Sequence, residues 1–471
     1  MSTDSRGARR RRRRGRSFLL AFAAVFAVLA LTAAAGAAVS VAQGPRVTSV
    51  QVDPTAAVAA SGARVILTTT QSLQKVDASQ VEVEPATPFT VDTSGRTVGL
   101  RFSLPLQDDS AYTIRITGVR GAGAGPAADL EETFRTPPLQ TFLLQRGGGQ
   151  GDTILRTGLD GEATPVFTHP HIEDFRATAG HLAISVLDDK DETQLVVTDL
   201  DGENERTLAL PGEGFVSNLQ SADRGERIGY TFSDATLGSG GGRESVLFTA
   251  SLADGSADDP PTEVALAGGD NRVADWRFVP DTDSILSLTF DGRLLLSGSD
   301  GSGVTPLGNA LGIDGIARGS SAAVVERLEG RQVIDLADGT DSPLVDATGE
   351  SGTPGSVTPV PGDGAGTLRT FAEVSDTSTV LGTRVAHVAD DGTVATLLDV
   401  GPDVGVLQTC VSPSGRYAAV LLSPDAAKNP YDRYRLPLPE RVETRIIEIA
   451  TGDEVVGFGG FDLGWCQVPP S

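Results

Sequence analysis

The sequence predicts an all-β protein, and three observations carry that expectation. Apolar segments are four to eight residues long, often alternate with polar residues, and are closed by Gly, Asp, Pro or Ser. Glycine is abundant, with 56 residues, and Val, Thr, Leu and Ile dominate the apolar runs, while long amphipathic helical patterns are scarce after residue 45. One phrase, a short apolar run followed by Asp-Gly and a second short run, recurs along the chain. At 471 residues there is room for two or three domains and a large buried core.

The N-terminus reads as an address. Residues 1–16 carry Arg6, Arg9 to Arg14 and Arg16, and a stretch of about 25 uncharged residues follows from Ser17 to Ala42. A span of that length crosses a bilayer as a helix, and an Arg cluster keeps its own end in the cytoplasm. The expected order is therefore a cytoplasmic basic segment (1–16), a transmembrane signal anchor (17–42) and an extracytoplasmic remainder at the cell membrane. A signal peptide cleaved after Ser40-Val41-Ala42 is the rival reading, although the apolar stretch is long for one. Both readings export the bulk of the chain. No cysteine lies nearby, which excludes a lipoprotein.

Charge narrows the partners. Residues 1–43 hold eight of the 38 basic residues and one of the 62 acids, Asp4, so the remainder carries 30 against 61, a net −31. Such a surface repels phosphate backbones and excludes nucleic acid as a partner. It reads as a solvated, solubilising surface. "LDDKDET" (187–193) has carboxylates but lacks the full spacing of a calcium loop.

Residues 45–137 form a first module. Alternation is clear from Arg64 to Thr70 and from Tyr112 to Thr117, with "QVEVEP", "FTVD" and "VGLRFS" between them. About seven strands fit, which suits a small β-sandwich. The "V-D-P" near its start, "DDSAYTIRITGV" and the terminal "TFRTP" resemble the bacterial Ig-like domains of surface-layer and cell-wall proteins. In that likeness Tyr112 sits in a late strand and Phe134 to Thr136 closes the fold. The resemblance implies a spacer or adhesive unit, and no catalytic constellation occurs here.

The recurring phrase sets the rest, residues 139–471. Its glycines are Gly161, Gly202, Gly255, Gly301, Gly339, Gly392 and Gly452, 38 to 60 residues apart. A period near 40–50 in an all-β chain points to propeller blades of four strands, seven in number. Each Asp-Gly, or Thr-Gly-Asp at the seventh, then turns the third strand into the outermost one, because glycine takes positive φ without steric penalty. Blade four reads as "RVADWRFVP", "SILSLTF", "RLLLSGS" and "VTPL"; blade seven reads as "GVLQTCVSP", "RYAAVLL", "TRIIEIA" and "EVVGF". The first repeat, 140–168, has only three strands, and "FDLGWCQVPPS" aligns with the innermost strand of blade seven. The C-terminal strand is therefore expected to complete blade one and close the ring, removing an exposed edge.

"SPSGRYAAVLL" (412–422) and "DWRFVPDTDSILSL" (275–288), with Trp276 and Trp465 in the aromatic place, resemble the repeats of TolB-like and WD40-like propellers. Similar propellers precede prolyl-peptidase domains, but no Gly-x-Ser-x-Gly nucleophile elbow occurs here. Taken with the Ig-like module and the basic apolar N-terminus, the chain resembles membrane-anchored bacterial, actinobacterial-type envelope proteins.

The two cysteines, Cys410 and Cys466, hold equivalent places in "LQTCVSP" and "LGWCQVP". Neighbouring innermost strands in an oxidising compartment would allow a disulfide across the closure point, contributing about 4 kcal/mol by chain entropy for a loop of this length. Two free buried thiols remain the alternative, since adjacent strands can exceed the roughly 7 Å Cα limit. His169, His171, His181 and His387 are too scattered for a metal site. No phosphate loop, Cys-x-x-Cys pair or catalytic triad is present, so no catalytic, cofactor or metal residues are assigned. The expected function is a membrane-anchored scaffold displaying a propeller for protein or peptide contacts in the envelope. The alternatives are a cell-wall-acting propeller hydrolase or lyase, which needs a placed acid/base pair, and a structural surface-layer component.

Overall fold

The computed structural model describes residues 22–32 and 44–470, except residues 124, 149–150, 224, 238–241 and 267. One expectation is overturned at once. Among the described residues no helix is long and apolar enough to cross a membrane. The described part of the expected anchor, residues 22–32, is helical. The basic segment 1–16 and the remaining parts of 17–42 lie outside the described residues.

The chain divides into two compact units. The first comprises Met1–Asp53, Ala63–Phe102 and Ala111–Arg135; the second comprises Pro54–Gly62, Ser103–Ser110 and Thr136–Ser471.

In the first unit, Val47–Gln51, Arg64–Thr69, Thr97–Phe102 and Phe89–Ser94 make one antiparallel sheet. Val81–Glu84, Ala111–Val119 and Ala128–Arg135 make another. Alternation sets the buried faces, with Val65, Leu67, Val98, Leu100, Ile114 and Ile116 inside. Tyr112 is fully buried and stacks on its cross-strand partner Phe134, ring centroids 5.6 Å apart.

The second unit contains seven antiparallel sheets. Six are four-stranded meanders starting at Ile172, Gly214, Val273, Gly312, Thr353 and Gly405. The sheet nearest the unit's start has three strands, Gln140–Gly148, Gly151–Gly158 and Ala163–His169. Apolar clusters lie between consecutive sheets. Leu195 and Val197 of the second meet Tyr230 and Phe248 of the third, and Leu247 meets Trp276 of the fourth. Between the fifth and sixth, a Cβ at Gly315 would lie 2.9 Å from the Pro359 ring, so these innermost strands touch. The seventh sheet packs back on the first through Tyr417, Ile446 and Phe458 against Leu143. Seven radially packed meanders returning on themselves are a β-propeller.

The seven turn glycines lie in the third-to-outermost turn of their blades, and all have φ between 76° and 85°. At Gly202 the requirement is doubled, because a Cβ would sit 1.8 Å from the Val166 carbonyl oxygen. The aspartates serve the same turns. The Asp338 carboxylate accepts the Thr340 hydroxyl (2.7 Å) and backbone N–H (2.9 Å), which hold it below the ordinary carboxylate range.

Closure takes a less regular form than a strand. Leu144 and Phe461 exchange backbone hydrogen bonds of 2.9 and 3.0 Å, and Gly464 N–H donates to Phe142 at 2.8 Å. Around this single bridge residues 460–466 take the innermost place of blade one. Gly460 and Asp462, with φ of 146° and 57°, interrupt the extended backbone that a full ladder needs. The innermost strands of the other six blades each carry a register irregularity, for example between Ile172 and Asp174 and between Val273 and Asp275. Such bulges bend a strand and increase its twist where blades converge.

Gly202→Ala is expected to destabilise the protein more than Gly255→Ala, as measured by chemical denaturation. Both place alanine in the left-handed region, a penalty of roughly 1–2 kcal/mol. Only Gly202 adds a clash, since nothing lies within 4 Å of a Cβ at Gly255. Equal losses at the two positions would contradict this account.

Candidate functional site

Three places in the second unit gather chemistry: the channel wall, an insertion in blade seven, and one rim of turns. The channel wall is built from innermost strands in which Asp-aromatic-Arg occurs twice, Asp174-Phe175-Arg176 in blade two and Asp275-Trp276-Arg277 in blade four. Alternation sends Phe175 and Trp276 into the cores between blades and leaves the charged residues on the other face. Arg176, itself buried, lies 3.0 Å from Asp174 and 2.6 Å from Asp462 of the closing segment. Two carboxylates thus share one guanidinium away from water. Burial, together with the neighbouring Asp462 charge, pushes Asp174 well above the usual carboxylate range despite the opposing pull of Arg176. Asp174 Oδ2 and Arg176 Nε and Nη2 have no hydrogen-bond partner.

Arg277 is engaged through both terminal nitrogens. It pairs with Asp275, donates from Nη1 to the Trp276 carbonyl (2.7 Å), and donates from Nη2 to Ile313 of blade five (2.9 Å). A cavity of about 240 Å3 beside it is lined by Asp314, Thr358, Gln408, Thr409 and Trp465. A second, of about 190 Å3, shares Trp465 and Arg318 with it. Arg318 pairs with Asp223 at 2.9 Å, so a charged strut links blades five and three. The channel's charges therefore serve one another, an arrangement that holds blades in register.

The insertion, residues 424–442, joins the second and third strands of blade seven. It crosses to blades one and two. Tyr434 donates its hydroxyl to Asp152 (2.8 Å), and the backbone N–H groups of Arg435 and Leu436 donate to the buried Glu173 carboxylate (3.1 and 3.3 Å). Arg146 donates to the Leu436 carbonyl (2.9 Å), pairs with Asp432 (2.9 Å), and lies 3.9 Å from the Tyr434 ring centroid. Arg435 reaches blade three, 4.0 Å over the Phe215 ring.

The residues singled out from sequence fall as follows. Cys410 and Cys466 are joined by a disulfide, with Cα atoms 5.5 Å apart. The histidines do not assemble. His171 pairs with Glu173 (2.6 Å), His181 with Glu226 (2.9 Å), His387 bonds the Ala365 carbonyl (2.8 Å), and His169 bonds to His171 backbone atoms. Among the described residues no group of three or more His, Cys, Asp or Glu is placed to hold a metal ion. In "LDDKDET" the Asp188 carboxylate accepts the N–H groups of Lys190 and Glu192, which makes it part of the turn itself.

The rim was not expected from sequence. In an antiparallel meander, the turns between second and third strands and the links between blades share one face of the propeller. Exposed large apolar side chains concentrate there: Leu237 in blade three, Phe290 in blade four, Leu311 and Leu328 at blade five, Leu381 in blade six and Tyr431 in blade seven. Leu328 is 91% exposed. Among the described residues of the second unit, Val455, next to the Gly452 turn of blade seven, is the one exposed large hydrophobic beside the turns of the opposite face.

No protein-family model matches the sequence, and no curated protein does. Among solved structures, the chain is similar to a candidate 6-phosphogluconolactonase of Bacteroides fragilis at 12% identity, covering 69% of this chain and 96% of that one, with a TM-score of 0.42. It is also similar to the β-propeller domain of Myceliophteria thermophila Cps50 (Swd1), at 13% identity, 62% and 87% coverage and a TM-score of 0.40. A candidate TolB of Agrobacterium tumefaciens aligns at 13% identity, 68% and 90% coverage and a TM-score of 0.36. At these values the propeller assignment stands on the chain's own seven sheets.

Three predictions test the closure chemistry. Cys466→Ser should lower unfolding stability by about 2–5 kcal/mol, and the denatured, unreduced wild-type protein should show no reactive thiol; two per chain would refute the bond. Arg176→Ala should cost about 3–5 kcal/mol, because it strands two buried carboxylates. Asp174→Asn should act differently. A carboxyl raised in the folded state contributes stability that is full below its unfolded pKa and lost as pH rises through the folded value. Denaturation of the wild-type protein across pH should therefore show a decline above the ordinary aspartate range that the Asp174→Asn variant lacks; identical profiles would contradict the raised Asp174.

Proposed function

We propose that this chain is an extracytoplasmic binding or scaffold protein of the cell envelope. Its propeller offers the rim of turns and blade links to a protein or peptide partner, and its first unit acts as a spacer of the bacterial Ig-like kind. The one-sided display of apolar side chains carries this reading. Soluble proteins expose scattered apolar residues singly, whereas concentration on one face marks a contact surface. The closed ring makes that face rigid, so little ordering entropy is lost on binding. The Cys410–Cys466 bond supports an oxidising compartment.

A photo-cross-linking residue placed at Leu328 or Leu311 should give a discrete protein adduct in the native envelope. The same residue at the exposed Ser302, in a turn of the opposite face, should give none. Leu381→Ser should abolish the Leu328 adduct while changing stability by no more than about 0.5 kcal/mol. Equal adducts from both faces would defeat the proposal.

A further inference from the structure

We infer that the partner segment received by this rim carries cationic and apolar side chains together. The inference rests on the contact-surface reading above and adds the partner's charge. Along blades four to six the rim's arginines are already engaged: Arg272 with Asp270 (2.6 Å) and Glu244 (2.7 Å), Arg327 with Asp341 (3.2 Å), and Arg384 with Glu350 (2.9 Å) and Asp399 (3.0 Å). Carboxylates between them are not. Glu329 follows Leu328, Glu373 and Asp376 lie beside and within the turn that leads to Leu381, and Asp403 lies in the link to blade seven. All four are exposed, and none takes a side-chain hydrogen bond or ion pair among the described residues.

Apolar side chains interleaved with unpaired carboxylates select against two occupants. A second copy would bring like charges together, and an anionic lipid surface would be repelled, as the net −31 beyond residue 43 also requires. A segment presenting Lys or Arg beside Leu, Ile or aromatic residues meets both features. Its cations find the free carboxylates at the edge, where they act on encounter rate and specificity, while its apolar groups cover Leu328 and Leu381.

The test uses the full chain and three short amphipathic peptides of one apolar pattern, with Lys, Gln or Glu at the polar positions. Binding is read by fluorescence anisotropy at low and high salt. The Lys peptide should bind at least about tenfold more tightly than the Gln peptide at low salt, and the gap should close at high salt. Combining Glu329→Gln, Glu373→Gln and Asp376→Asn should remove that gap, whereas Glu162→Gln on the opposite face should not. Leu328→Ser with Leu381→Ser should weaken every peptide. If the Gln peptide binds as tightly as the Lys peptide, or the rim holds anionic phosphatidylglycerol vesicles, the charge inference is overturned and the contact surface stands. If the leucine variants bind all three peptides unchanged, the surface itself is lost, and the inference with it.

Discussion

A ring of sheets is only as stable as its last joint, and in this chain the joint is made by residues 460–466. They take the innermost place of blade one through a single antiparallel bridge at Leu144 and Phe461. Three other devices gather on the same short segment. Asp462 inserts its carboxylate beside Arg176 of blade two, Cys466 is bonded to Cys410 of blade seven, and Trp465 fills the core between blades seven and one. A bridge of two backbone hydrogen bonds contributes little against the entropy of ordering a chain end. The covalent link and the buried ion pair supply what the short ladder lacks.

The insertion of blade seven works on the same joint from another direction. Tyr434, Arg435 and Leu436 are held by Asp152 and Glu173 of blades one and two, and Leu438 enters the apolar cluster that contains Phe461. Blade seven is therefore tied to blade one by the tail and to blade two by the insertion.

The distribution of charge fits that division of labour. Inside, Arg176 lies between Asp174 and Asp462, and Arg277 pairs with Asp275. At the rim of blades four to six, Arg272, Arg327 and Arg384 are matched and several carboxylates are left to water. Buried ion pairs serve register more than net stability, while unpaired surface carboxylates set long-range potential and solubility. The same residue type thus does different work according to its dielectric surroundings.

Local chemistry was legible from the sequence. The seven turn glycines could be found because a tight turn between strands needs positive φ wherever it occurs, and the spacing of those turns implied blades of four strands. The equivalence of Cys410 and Cys466 could be read from "LQTCVSP" and "LGWCQVP" for the same reason. The repeated Asp-aromatic-Arg was present as a signal, but its partner Asp462 was not, because it lies 286 residues from Arg176 in the chain. The apolar stretch after residue 16 suggested a spanning helix, yet composition alone does not set helix length, and among the described residues no helix is long and apolar enough to cross a membrane. Which carboxylates are buried, where the insertion lands and which face keeps its leucines exposed were decided only by tertiary structure. Those properties depend on contacts between residues far apart in sequence, and no local rule of turn or strand specifies them.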